Sequence, residues 1–112
     1  MSKYHAHKTE YDGHIFDSEI EMKRYVYLRE KEDNGEISQL HCQVKYELIP
    51  KTKTERAVTY RADFQYYEGC QLVAEDVKGY RTKDYIIKRK IFKWRFPHVE
   101  FREVYYRKGE WV

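Results

Sequence analysis

The 112-residue sequence is poor in cysteine and tryptophan and has no long apolar run, and each scarcity narrows what it can be. Cys42 and Cys70 stand far apart without a Cys-x-x-Cys pair, which argues for free thiols in a reducing compartment and against a disulfide framework. No stretch approaches the roughly 18 apolar residues of a membrane span, and no charged start followed by an apolar run marks a signal peptide. A soluble cytoplasmic protein with no membrane contact is therefore expected. His5 and His7 have no Cys or further His at zinc-finger spacing, so a zinc site is set aside. The length also excludes two ordinary-sized cores.

What is present can fold. Hydrophobic residues make up 41% and charged residues 37%, enough for a core beneath a heavily solvated surface. Aromatics reach 17%, but 12 of them are Tyr and only 2 are Trp, so much of the apolar area carries a hydroxyl. The net charge of +3 is a weak argument for an anionic partner; its distribution says more. Arg81, Lys83, Lys88, Arg89, Lys90, Lys93 and Arg95 stand against a single acid, Asp84, in one short segment. That cluster reads either as a solvated helix face or as a phosphate-binding surface.

Residues 1–12 are polar without a clear period and read as a partly mobile arm ahead of one domain over 13–112. Asp17-Ser18 opens a first helix over 19–32, with Ser18 and Glu21 spaced as a capping box and Phe16 as its staple. Alternation over 43–49, closed by Pro50, predicts a strand, and 57–67 repeats it with Val58, Tyr60, Ala62, Phe64 and Tyr66 on one face. A third strand over 71–78 completes an antiparallel meander. Thr82 caps a second helix over 83–95 that ends before Pro97, and 98–106 reads as a last strand with a bulge near its end. On the second helix, Trp94, Ile87, Ile91, Phe92 and Tyr85 form an apolar arc expected to face the sheet, with Arg89, Lys93 and Lys90 outward. Lys88 falls on the inward side, which snorkelling along the sheet or a site beneath the helix would explain.

Alternation also groups the charges. Asp76 and Lys78 share one face of the third strand, Glu75 and Val77 the other, and Asp63 on the neighbouring strand meets the Asp76 face if the apolar set is buried. Two carboxylates and a lysine on a rigid sheet are either a cross-strand ion pair or a site for a hard divalent cation. In the second case Asp63, Asp76 and the Val77 carbonyl would hold Mg²⁺ or Mn²⁺, and Lys78 would position a water and offset charge on a phosphate.

The segments Phe16-Asp17-Ser18 with Glu21, Arg61-Ala62-Asp63-Phe64, Glu75-Asp76-Val77-Lys78-Gly79, and Tyr85-Ile86-Ile87-Lys88-Arg89-Lys90 through Phe96-Pro97 resemble the PD-(D/E)XK nuclease superfamily. In particular, they are similar to short phage and prophage proteins of the DUF1064 type. The resemblance implies a restriction-endonuclease-like α/β fold with an αβββαβ core, a central mixed sheet flanked by helices. It implies Asp63 and Asp76 as metal-ligand acids, Lys78 as the motif lysine, Glu21 as the first-helix acid of the metal site and Lys88 as the polar residue of the second helix. Glu21 either caps its own helix or reaches the metal. Ala62 departs from the proline of the superfamily name, and an alternative register would bring Glu75 inward in place of Asp76.

The resulting expectation is a Mg²⁺- or Mn²⁺-dependent nuclease acting on DNA, with catalytic Asp63, Asp76, Lys78, Glu21 and Lys88. Arg81, Lys83, Arg89, Lys90 and Lys93 would contact the nucleic acid. No base-reading module is evident, so selectivity is expected from DNA shape, four-way junctions included, and a homodimer would suit that. The alternatives are a DNA-binding module that keeps the nuclease fold without turnover, and a phage protein whose basic helix meets an acidic partner.

Overall fold

The computed structural model describes residues 8–78 and 81–112; His5, His7 and Gly79 lie outside the described residues. Thr9–Tyr11 (β1) and His14–Phe16 (β2) pair as an antiparallel hairpin, so the latter part of the expected arm is a strand. Asp12 and Gly13 turn between them at φ 54° and 80°. Two consecutive positive φ values make the type I′ turn that Asp-Gly favours, because its twist matches that of the strands.

Helix α1 (Glu19–Asp33) starts at Ser18, whose Oγ accepts the Glu21 N–H at 3.2 Å. Strands β3 (Ser38–Ile49), β4 (Val58–Glu68) and β5 (Gln71–Val77) form the expected meander. Helix α2 (Lys83–Arg95), capped by Thr82 Oγ1 on the Tyr85 N–H at 3.1 Å, crosses to β6 (Glu100–Val104), which pairs parallel to β5. The result is a mixed α/β domain around a four-stranded sheet of order β3-β4-β5-β6, with the αβββαβ order intact. No helix among the described residues is long and apolar enough to cross a membrane.

The expected bulge in the last strand is the end of one element and the start of another. Tyr106–Arg107 (β7) and Glu110–Trp111 (β8) form a second small hairpin, again with a turn of two positive φ values, 50° at Lys108 and 77° at Gly109.

Two cores flank the sheet. Tyr25 and Leu28 of α1 pack with Phe16, Ile37, Phe64, Tyr66 and Val73, whereas Tyr85 and Phe92 of α2 pack with Leu48, Tyr60, Ala62, Ala74 and Val99. Even-numbered residues of β4 therefore serve both cores: Tyr60 and Ala62 one, Phe64 and Tyr66 the other. The expected single face over these positions is thus corrected. The change of phase falls between the pairs Cys42↔Phe64 and Val44↔Ala62, where Gln43 sits at φ 55° and Asp63 is its neighbour on β4.

The inward arc expected for α2 holds at Tyr85, Ile91 and Phe92 and is corrected at Ile87 and Trp94. Its buried stripe is Tyr85 and Phe92, while Ile87 and Trp94 are 56% and 79% exposed. The apolar arc is wider than the sheet can cover, and its Tyr85 and Phe92 side is the buried one because Phe92 meets Tyr46, Tyr60 and Phe101 with ring centroids 4.8, 5.8 and 5.3 Å away.

One ion pair joins α1 to β5. Glu75, fully buried, receives Arg24 Nε at 2.5 Å and Nη2 at 2.8 Å, and the Tyr66 hydroxyl at 2.5 Å. The guanidinium lies over the rings of Tyr27 and Trp111, at 4.6 and 4.9 Å, and the two rings meet each other with centroids 6.3 Å apart, which ties the β7–β8 hairpin to the helix. Removing one partner of such a pair strands a buried charge, whereas replacing both with apolar groups does not. Arg24→Met should thus lower the unfolding free energy in urea by about 3–5 kcal/mol, and adding Glu75→Leu should restore most of it. A double variant no more stable than the single one would show that the pair is not what holds this contact.

Candidate active site

The β4–β5 ladder ends at the pair Phe64↔Glu75, and the next residue on each strand is an acid, Asp63 and Asp76. Alternation sends Glu75 toward Arg24 on α1 and Asp76 the other way, toward Tyr60 and Tyr85. Asp76, not Glu75, therefore joins Asp63, as the expected register requires. Asp63 Oδ2 accepts the Val77 N–H at 2.7 Å, and its carboxyl also meets that of Asp76 in hydrogen-bond contact. Glu21, on the first turn of α1, reaches the same carboxyl of Asp63. Ser18 still caps the helix through its own oxygen, so the side chain of Glu21 is left to the site.

Lys78 faces this group, its Nζ 3.1 Å from Asp76 Oδ2 and 3.7 Å from the centroid of Tyr85. The Asp76 side chain is 6% exposed, and its Oδ2 has no well-directed hydrogen bond, the lysine contact being ionic only. The Tyr60 hydroxyl beside it is likewise buried without a good partner. At the rim, Asp17 and Arg61 pair at 3.0 Å near Glu21.

The cluster is short of positive charge. Burial first, then the hydrogen bond and charge of Asp76 and the charge of Glu21, hold the Asp63 carboxyl far above the usual aspartate range. Burial and the neighbouring Asp17 raise Glu21 as well. Burial and the charge of Asp76 push the Tyr60 phenol upward.

The basic segment divides in two. Arg89 Nη1 and Arg81 Nη2 both pair with Glu103, at 2.9 and 2.7 Å, and the Tyr85 hydroxyl donates to the same carboxylate. Burial would raise Glu103, but the hydrogen bonds from Tyr85 and Arg89 hold it below the usual range. Two of the five expected nucleic-acid contacts are thus engaged by an acid of β6, which the sequence reading had not paired with α2. Lys83, Lys90 and Lys93 are exposed. Lys88 is half-buried, and the structure brings it into no ion pair with the three acids. The sequence reading also missed Tyr60, Tyr85 and Glu103. Tyr60 and Tyr85 occupy alternating or helical positions that a core tyrosine would equally occupy.

A family model described as "Protein of unknown function (DUF1064)" matches residues 1–108. The chain belongs to the DUF1064 family. No curated protein and no solved structure matches it.

In this DUF1064 chain no group of three or more His, Cys, Asp or Glu side chains among the described residues is arranged to hold a metal ion. The acids instead touch one another. Their chemistry nonetheless fits a hard cation: every donor is an oxygen, and Asp76 Oδ2 is buried without a directed donor. Ion binding would require Asp63 to lose its proton and the carboxyls to separate.

A group whose pKa rises on folding binds its proton more tightly in the native state. Its contribution to stability is full below the ordinary aspartate value, 3.8, and is lost as pH climbs toward the folded value. In EDTA, wild type should therefore lose stability relative to Asp63→Asn from about pH 4 upward, by at most about 1.4 kcal/mol per pH unit. The asparagine keeps the Val77 acceptor and a donor for Asp76. Urea unfolding across pH checks this, and parallel curves for the two proteins would contradict it.

Proposed function

We propose that this chain is a divalent-metal-dependent deoxyribonuclease of the PD-(D/E)XK kind, cutting phosphodiester bonds internally in DNA. The observation that supports the reading best is the buried contact of Asp63 with Asp76, with Glu21 reaching the same carboxyl and Lys78 3.1 Å from Asp76. A structural ion pair needs one acid and one base. Three acids packed around a single lysine disfavour the folded chain unless something else neutralises them.

On this reading Asp63, Asp76 and Glu21, with the Val77 carbonyl, hold Mg²⁺ or Mn²⁺. When bound, such an ion polarises the phosphate and lowers the pKa of a water. Lys78 then has two roles of its own. Its ammonium, kept in place by Asp76 and the Tyr85 face, orients the attacking water and offsets charge gathering on the phosphate oxygens. Tyr85 is in turn fixed by Glu103, which Arg81 and Arg89 hold ionised. DNA is the partner, held by exposed lysines Lys83, Lys90 and Lys93 through its phosphates. Selection by DNA shape, a homodimer, phage or prophage origin and action in the bacterial cytoplasm belong to the same proposal and draw their support from the resemblance.

The test is cleavage of labelled single-strand, duplex, flap and four-way-junction DNA in Mg²⁺, Mn²⁺ or EDTA, with wild type beside Asp76→Ala. Metal-dependent cutting should fall by at least about a hundredfold in the variant, since even residues behind metal ligands are worth about 10–100-fold. DNA bound but uncut in both metals would overturn the nuclease reading in favour of a binding module. Indifference to DNA would overturn both.

A further inference from the structure

The outer face of α2 carries a feature that the acid cluster does not use. Trp94 and Ile87, seven residues apart and so on one side of the helix, are 79% and 56% exposed. Lys90 stands between them along the same stripe, and Lys83, Lys93 and Arg95 are exposed around them. Among the described residues none of these four cations is paired with a carboxylate, in contrast to Arg81 and Arg89. Arg95 reaches the Glu47 carbonyl, at 3.2 Å, and lies 5.3 Å from the Phe96 ring centroid, and Lys93 lies 6.0 Å from the Phe101 ring centroid.

We infer that this face binds a single-stranded nucleic acid, with the indole of Trp94 stacked on an unpaired base and Lys90, Lys93 and Arg95 on the flanking phosphates. The partner must be anionic, because the patch is cationic and uncompensated. It must also offer an exposed flat apolar surface, because that is what a freely accessible indole can cover. Nucleobases outside a duplex meet both requirements; bases inside one have their faces covered by their neighbours. A second copy of the chain fits less well, since a two-fold contact would set the cations of each patch against their own images. A lipid surface fits less well too, since Lys90 in the middle of the stripe would be carried toward hydrocarbon with Ile87 and Trp94. The inference shares with the nuclease reading the class of partner, and it does not require turnover.

The test is binding by the full chain in EDTA, where metal-dependent cutting is silent, read for every variant by the anisotropy of an end-labelled probe, with tryptophan emission as a second readout for wild type. The probes are a short oligothymidylate and a closed DNA hairpin duplex. Wild-type emission should be quenched saturably by the oligothymidylate. Trp94→Ala should bind it about tenfold or more weakly, Trp94→Phe should stay near wild type, and the duplex affinity of all three should agree. Equal oligothymidylate affinity for wild type and Trp94→Ala would overturn the inference, as would an equal loss on the duplex or no binding. A Trp94-dependent dimer in the ultracentrifuge, or a Trp94 response to anionic vesicles but not to the oligothymidylate, would also overturn it by assigning the patch to another partner. Oligothymidylate binding without any cleavage in Mg²⁺ would leave this inference standing and count against the nuclease reading alone.

Discussion

An ionised carboxyl taken out of water must find compensating charge or hold its proton, and β5 takes two adjacent carboxyls out of water in opposite directions. Glu75 goes toward α1 and meets a guanidinium through both oxygens, with a tyrosine hydroxyl besides. Asp76 goes the other way and meets a second acid, one ammonium and a hydroxyl with no good partner. The first carboxylate is satisfied and holds the fold together. The second is under-compensated, and the same strand supplies the rigidity that keeps it so.

The two halves are mechanically linked. Arg24 lies three residues after Glu21, so one helical turn connects the anchor on Glu75 to the acid that reaches Asp63. The position of α1 on the sheet, set by the buried ion pair, thereby sets the third acid of the cluster. Trp111 packs beside Tyr27 against the Arg24 guanidinium, which gives the terminal hairpin a part in the same arrangement. Around the lysine, Tyr85 plays the corresponding role: its ring lies under Lys78 and its hydroxyl is held by Glu103.

Much of this was legible in residue types and spacing. Ser18 and Thr82 announced both helix starts because a side-chain oxygen there satisfies a free N–H, and period-two alternation outlined the meander and placed Asp76 with Asp63. Other features carried a signal of their own: Asp12-Gly13 and Lys108-Gly109 are two-residue turn pairs, and each makes a hairpin, the first where an arm is expected and the second beyond the last expected strand. The change of phase at Gln43 and Asp63 had no such signal, because strict alternation continues through it and only the two packed helices reveal that the faces have exchanged. Which side of the α2 arc is buried depended on the aromatic partners waiting on β3, β4 and β6. The neutralisation of Arg81 and Arg89 by Glu103 likewise arises from a contact between segments that the chain brings together only on folding.

We propose that Asp63 holds a proton against Asp76 and Glu21 and that a divalent cation displaces it to complete the cluster. Titration calorimetry of the full chain with Mn²⁺ at neutral pH, repeated in buffers of different ionisation enthalpy, addresses it without reference to any substrate. Saturable binding with release of about one proton per ion is expected, with loss of both in Asp63→Asn. Absence of Mn²⁺ binding, or binding that releases no proton and survives that substitution, would contradict it.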